Sequence, residues 1–286
     1  MKRLIVLAAI LWTVAAASQT TVSFEEIFFE SHSREMKYNI QGASVAFGKL
    51  FQLHDGNKPI VIYDMKDGSF EREVIVEPVK TWHNNTASFS DARFEGNDPY
   101  PLLYASQENI KEHKAVVYRF TEGQDGTLKA TIVQTIIFPE PIEMGLYYPN
   151  LALDTESGFL YLTGFSRESW KDPARGNGVQ ILRFRLPSPK EGPVIKLWTK
   201  DILARYCFDF KLATQGAAIH GDKLYQVFGM PKESCLVCTD LSTGEEIFRY
   251  ELNGIPGEPE GLGIHDGHLI VSCNDGHVYR SDLKVN

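Results

Sequence analysis

The chain has 286 residues, 43% hydrophobic and 23% charged, and its 29 Lys and Arg against 37 Asp and Glu give a net charge of −8. The cations are scattered along the chain, which excludes the clustered basic footprint of a nucleic-acid binder and a polybasic grip on an anionic membrane. After the first residues no run of about 18 apolar residues offers a membrane span.

The chain opens on Met1-Lys2-Arg3, a short basic segment, followed by an apolar run from Leu4 to Val14 and then Ala15-Ala16-Ala17-Ser18. That order is a secretory signal peptide over residues 1–18, with cleavage before Ser18 or Gln19. A single domain over 19–286 and a secreted or periplasmic location follow as expectations. No cysteine near the cut offers a lipid anchor. Without Lys2 and Arg3 the net charge becomes −10, a balance that favours solubility and neutral or cationic ligands.

The first strand candidate is VSFEEIFFE. QGASVAFGKLFQLHDGNKPIVIYDMKDG follows from Gln41, and a near copy, QGAAIHGDKLYQVFGMPKESCLVCTDLSTG, begins at Gln215. Each reads as an apolar strand, a turn, a K-L-aromatic-Q strand, a loop, an apolar strand and an Asp-bearing turn ending in Gly. FEREVIVE and EIFRYEL supply the fourth strands. Four short alternating strands repeated at about 45 residues predict a blade of a β-propeller.

Between the copies, the stretch from His83 carries strands at PLLYAS, AVVYRF and TLKATIVQTI, and the stretch from Tyr148 carries NLALD, GFLYLTGF and VQILRFRL. Their extra length is assigned to insertions around Glu95–Pro99, Glu108–Lys114 and Arg167–Asn177, loops of a size that binds ligands or a protein partner. TKDILARYCFDFKLAT reads as a helix. From Glu260, EGLGIHDGHLIVSCNDGHVYRSDL holds three strands, so VSFEEIFFE is the natural fourth. The predicted fold is all-β: a five-bladed β-propeller of four-stranded antiparallel blades, the last closed by the N-terminal strand, which hides two sheet edges.

The first strand of each blade lines the central channel. The predicted ligand-binding residues are therefore Gln41, His83, Asn84, Asn85, Asn150, Gln215 and Glu260. Amides with one carboxylate suit a carbohydrate or other small polar ligand, and their oxygens suit a hard cation such as calcium. The same groups would also serve to join blade to blade around channel water. Trp82, Tyr147, Tyr148 and Trp170 stand near these stations as ring-stacking faces or as packing. Asn84-Asn85-Thr86 matches a glycosylation sequon.

Nucleophilic and metal signatures are absent: there is no G-x-S-x-G and no H-E-x-x-H. Of the carboxylate pairs, only Glu260 falls at a predicted channel position, as a candidate acid or base. The C-x-x-C of Cys235 and Cys238 lies in a strand, where positions three apart face opposite sides. It reads with Cys207 and Cys273 as buried thiols or one structural bridge rather than a redox or zinc pair.

TQGAAIHGDKLYQVFGMPKESCLVCTDLSTGEEIFRYEL with EPEGLGIHDGHLIV, from Thr214 to Val271, resembles the opening of the plant and bacterial glutaminyl cyclases. The resemblance lies in a Thr-Gln-Gly-led blade, a D-L-x-T-G turn and a Glu-Gly-Leu start to the next blade. It implies a five-bladed propeller, with Gln215 at the channel and Glu260 as the acid/base for cyclising N-terminal glutamine. The pattern closes this chain instead of opening it, and the tryptophans the family carries after Glu-Gly-Leu are missing from GHLIVSCNDGHVY. The sequence thus leaves three functions: a ligand-binding propeller, an enzyme on that scaffold (cyclase, or glycan hydrolase or lyase), and a protein-interaction platform.

Overall fold

The computed structural model describes residues 21–78, 85–109, 112–140, 144–165, 178–208 and 212–285. Residues 1–18, expected to be a signal peptide, lie outside them, as do Trp82, His83, Asn84, Trp170 and the whole Arg167–Asn177 insertion.

Most of the described chain is strand, and very little is helix. After β1 (Phe24–Phe29) and a short helix α1 (Ser31–Glu35), β2 (Ile40–Ala46), β3 (Lys49–His54), β4 (Ile60–Asp64) and β5 (Phe70–Val76) form an antiparallel array. β6 (Ala87–Phe89), β7 (Leu103–Asn109), β8 (Glu112–Glu122) and β9 (Leu128–Phe138) form the next. β9 also takes two parallel partners, β5 and β13 (Val194–Lys196). β10 (Tyr147–Asp154), β11 (Phe159–Phe165), β12 (Val179–Arg185) and β14 (Ala204–Phe208) follow, then β15 (Thr214–His220), β16 (Lys223–Met230), β17 (Glu233–Asp240) and β18 (Glu246–Glu251). The last sheet joins β19 (Pro259–His265), β20 (His268–Cys273) and β21 (His277–Lys284) to β1, so it draws on both ends of the described chain.

The repeated sequence builds the same parts in both copies. Asp64 and Asp240 each fold a turn back on themselves: Lys66 N–H donates to Asp64 Oδ1 at 2.8 Å and Ser242 N–H to Asp240 Oδ1 at 2.7 Å. Gly68 and Gly244 close those turns at φ 72° and 78°. A side chain meets crowding there as well as backbone strain, because an added Cβ would run into Phe28 and Tyr206 respectively.

Two sequence expectations change. TKDILARYCFDFKLAT is not a helix: Thr199–Asp201 is one 3-10 turn, and Ala204–Phe208 is β14, pairing with β12. Its alternating burial gives the physical reason, a period of two that suits a sheet's outer strand. Glu108–Lys114 is not a free loop, since β7 and β8 pair out to Asn109 and Glu112 as one long hairpin.

Apolar faces of consecutive sheets meet in shared cores. Phe51, Ile62, Leu103, Val116 and Phe120 pack between the first two arrays. Leu102, Val117, Leu151, Leu162 and Phe184 pack between the second and third. Ala152, Ile181, Ala217 and Leu224 fill the next gap, and Val227, Leu236, Leu262 and Val271 the one after. Ile270 and Val278 of the last sheet pack on Leu50, Val61 and Tyr63 of the first. Helix α1 is anchored over that seam, where Ser33 N–H donates to Tyr63 Oη at 2.9 Å.

Candidate functional site

Residues of the first strands β2, β6, β10, β15 and β19, or just before them, line two cavities, one where these strands begin and one where they end. These strands approach closely because glycine follows the polar residue in QG and EG. A Cβ on Gly42 would lie 2.4 Å from Asn85 O, one on Gly216 2.5 Å from Leu262 N, and one on Gly261 2.6 Å from Ala43 Cβ. Only hydrogen fits where backbone meets backbone.

The same dipeptides sit in bulges. Pairing skips between Ile40 and Ala43, between Tyr147 and Asn150, between Thr214 and Ala217, and between Pro259 and Gly261. A bulge re-aims the extra residue. In the first it is clamped by Gln52, whose Nε2 donates to Gln41 O and to Gly42 O at 3.2 Å.

At the end where these strands begin, a cavity of about 330 Å³ is lined by Asn39, Gln41, Asn85, Tyr148, Gln215, Met230, Glu258, Glu260 and Asn274, among others. The structure brings Gln41, Asn85, Gln215 and Glu260 together at this mouth. Asn150 does not line it. Asn150 stands after the bulge, level with Ala43 and Ala217, and is fully buried, with neither Nδ2 nor Oδ1 bonded among the described residues. Tyr148, in the left-handed region at φ 49°, lines the mouth instead. Asn85 Nδ2 donates to Pro149 O at 3.1 Å, so this amide also joins neighbouring inner strands.

Glu258 was passed over as a channel residue, yet it lines the same cavity. The signal was its i, i+2 spacing to Glu260, which puts both on one face of an extended chain. Gln215 Nε2 donates to Glu258 Oε1 at 2.8 Å and Asn274 Nδ2 to Glu258 Oε2 at 3.0 Å. Asn274 and Asn39 come from strand ends and had no motif to mark them.

Glu260 is 7% exposed, and its carboxyl takes part in no hydrogen bond among the described residues. Burial pushes it well above the usual carboxylate range, the charge of Glu258 pushes it further, and Asp55 adds to the effect. The mouth therefore holds one carboxylate clamped by amides beside one carboxyl that favours its proton.

Among the described residues no group of three or more His, Cys, Asp or Glu is placed to hold a metal ion, and no helix is long and apolar enough to cross a membrane. All four cysteines are free, with Cys207 exposed and the others buried. Cys235 and Cys238 lie in different core clusters, on opposite faces of β17. Burial pushes their thiols up to about 12 and about 11, the condition of inert packing groups.

No protein-family model matches the sequence, and no curated protein matches it. Among solved structures, a glutaminyl cyclase from Myxococcus xanthus is similar with a TM-score of 0.55 at 10% identity, covering 93% of this chain and 98% of that one. A virginiamycin B lyase from Staphylococcus aureus has a TM-score of 0.46 at 14% identity, covering 92% and 99%. The first likeness shows the fold, a β-propeller.

Proposed function

We propose that the chain is an exported, single-domain, five-bladed β-propeller that binds a small polar ligand at the mouth holding Gln41, Asn85, Gln215, Glu258 and Glu260, a carbohydrate being the favoured class. The count of five is supported by the four-strand arrays and their shared cores. Closure is supported by the pairing of β1 with β21 and by the packing of the last sheet on the first. The N-terminal sequence supports export, which a secreted product beginning at Ser18 or Gln19 would bear out by mass.

One observation carries the binding reading: Glu260 is almost fully buried in the cavity wall, and its carboxyl has no hydrogen bond among the described residues. A buried polar group wants a partner, and a ligand hydroxyl supplies one. A protonated Glu260 donates, the Glu258 carboxylate accepts, and the amides do both, which matches the mixed donors and acceptors of a sugar ring. The test is thermal unfolding of the mature protein against mono- and oligosaccharides, calcium, EDTA and peptides with N-terminal glutamine. A saccharide at about 100 times its Kd adds roughly 2.7 kcal/mol, and Gln41→Ala should reduce the shift. No shift with any saccharide overturns the carbohydrate reading.

A second reading is favoured by Glu260, whose carboxyl favours its proton beside the hydrogen-bonded Glu258, an arrangement that fits an acid/base catalyst. The related fold of a glutaminyl cyclase makes N-terminal glutamine peptides the first substrates to assay. Glu260→Gln would then abolish turnover while leaving binding largely intact. Full turnover in that variant excludes Glu260 as the catalytic group.

A further inference from the structure

Three carboxyl side chains of the described chain are buried, Glu30, Asp98 and Glu260, and each meets the cost of burial differently. Asp98, 6% exposed, is answered from within the chain. Arg119 Nη2 donates to its Oδ1 at 2.8 Å, and Arg119 Nε to both oxygens at 3.0 and 3.1 Å. Glu30 is sealed completely, and burial favours its protonated form. Glu260 is about as buried as Asp98 but lines the 330 Å³ mouth, and no cation pairs with it among the described residues. A buried carboxylate wants a positive partner. Here the open side is the cavity.

The mouth around it carries one sign of charge. Among the described residues that line it there are two glutamates and no Lys, Arg or His. The charges that act on Glu260 are those of Glu258 and Asp55, both negative, and Cys273 at the end of β20 is the other titratable group in its reach. Glu258 is oriented by neutral amides, Gln215 Nε2 at 2.8 Å and Asn274 Nδ2 at 3.0 Å, which fix a carboxylate without cancelling its charge. Tyr148 and Met230 add a ring and a thioether to the same wall. A negative cleft with low-dielectric walls concentrates cations, and aromatic rings attract them.

We propose that this mouth selects saccharides carrying a protonated amine, with Glu260 as the anion that takes the ammonium and Glu258 beside it. The inference rests on the reading of the mouth as a saccharide site and names the substrate class within it. Alone, Glu260 favours its proton because it is buried beside Glu258. A ligand ammonium within about 4 Å reverses that balance, since an opposite charge at such range favours the ionised carboxyl. The proton leaves to solvent, and the ligand becomes to Glu260 what Arg119 is to Asp98. A neutral hydroxyl in the same place makes only an ordinary hydrogen bond, and bonds between charged groups are roughly twice as strong. An ammonium also has three N–H donors, enough to serve both glutamates and an amide.

The test is isothermal titration calorimetry of the full mature protein with glucosamine against glucose and galactosamine against galactose, pairs that differ only in the amine. Expected at pH 7 is an affinity at least tenfold higher for the amino sugar in the better-bound pair, and a ratio of about one in Glu260→Gln. The wild-type protein supplies a second reading that does not need the variant to fold. From pH 7 down to pH 5 the amine stays charged while Glu260 holds its proton more firmly, so the ratio should shrink. A ratio of about one at pH 7, a ratio that survives Glu260→Gln, or one that is constant between pH 7 and pH 5 overturns the proposal. Equal binding of the amino and neutral sugars leaves the carbohydrate reading standing, whereas binding of none of the four overturns both.

Discussion

At the scale of single residues, buried titratable groups act on stability with opposite signs. Glu30 is fully buried, neither carboxyl oxygen is bonded among the described residues, and burial first and Asp275 second push it well above 4.5. A carboxyl raised in the folded state holds a proton that the unfolded state has already released, so stability falls as pH rises from 4.5 towards the folded value. Glu260 acts in the same sense. Replacing Glu30 with Gln should therefore raise Tm, by a margin that widens as pH rises above 4.5 and then levels; a pH-independent margin would contradict ionisation in place. His54 acts the other way. Its Nδ1 donates to Pro59 O at 2.8 Å, which leaves Nε2 to accept from Ser33 Oγ at 3.1 Å. The ring is neutral, and burial lowers its pKa from 6.5 to about 4. The unfolded ring takes up a proton first, so stability is lost as pH falls from 6.5 to 4, by about 3 kcal/mol for a shift of this size. An NMR titration should place the His54 midpoint near 4, and a midpoint near 6.5 would mean the ring is not buried as described.

At the scale of elements, the glycines after Gln41 and Gln215 set how closely the inner strands approach. Gly42→Ala puts a methyl against the backbone of Asn85 and Thr86, which cannot yield as a flexible side chain does. The expected loss is about 1–3 kcal/mol, measurable as a lower urea midpoint, whereas Gly96→Ala, with open space around it, should be nearly neutral. These strands also show how far the sequence could be read. The repeat Q-G-A, K-L and Q located β2–β3 and β15–β16, because alternation and turn residues are local signals. It placed Gln41, Gln215 and Glu260 at the channel for the same reason. It put Asn150 at the mouth where Tyr148, two residues earlier, stands, because a bulge adds a residue that no local pattern announces. Ala204–Phe208 was misread as helix because its five residues carry too few alternations to outweigh the helix formers before them. Asn39 and Asn274 escaped notice because tertiary structure alone brings those strand ends together.

At the scale of the whole molecule, the sheet of β19, β20, β21 and β1 ties the two ends of the described chain. Ser23 Oγ donates to Asp282 Oδ2 at 2.6 Å, and Asp282 N–H donates to Ser23 O at 3.0 Å. The variant carrying Ser23→Cys and Asp282→Cys should form a disulfide under oxidising conditions and raise Tm reversibly with the redox state. A loop of this length gives up to about 5 kcal/mol in the chain-entropy account, and no difference between oxidised and reduced forms would mean the ends do not hold each other in solution. The same pairing has a consequence for how the chain is made. Synthesis runs from the N-terminus, so among the described strands β1 emerges long before its partner β21. Ile27 and Phe28 have the first array's side of their core early, Tyr63 included, but lack Ile270 and Val278 until β20 and β21 are made. A nascent chain can assemble the middle sheets one after another while its first strand waits as an open edge. A chain interrupted before β21 is therefore an aggregation-prone species in its life history.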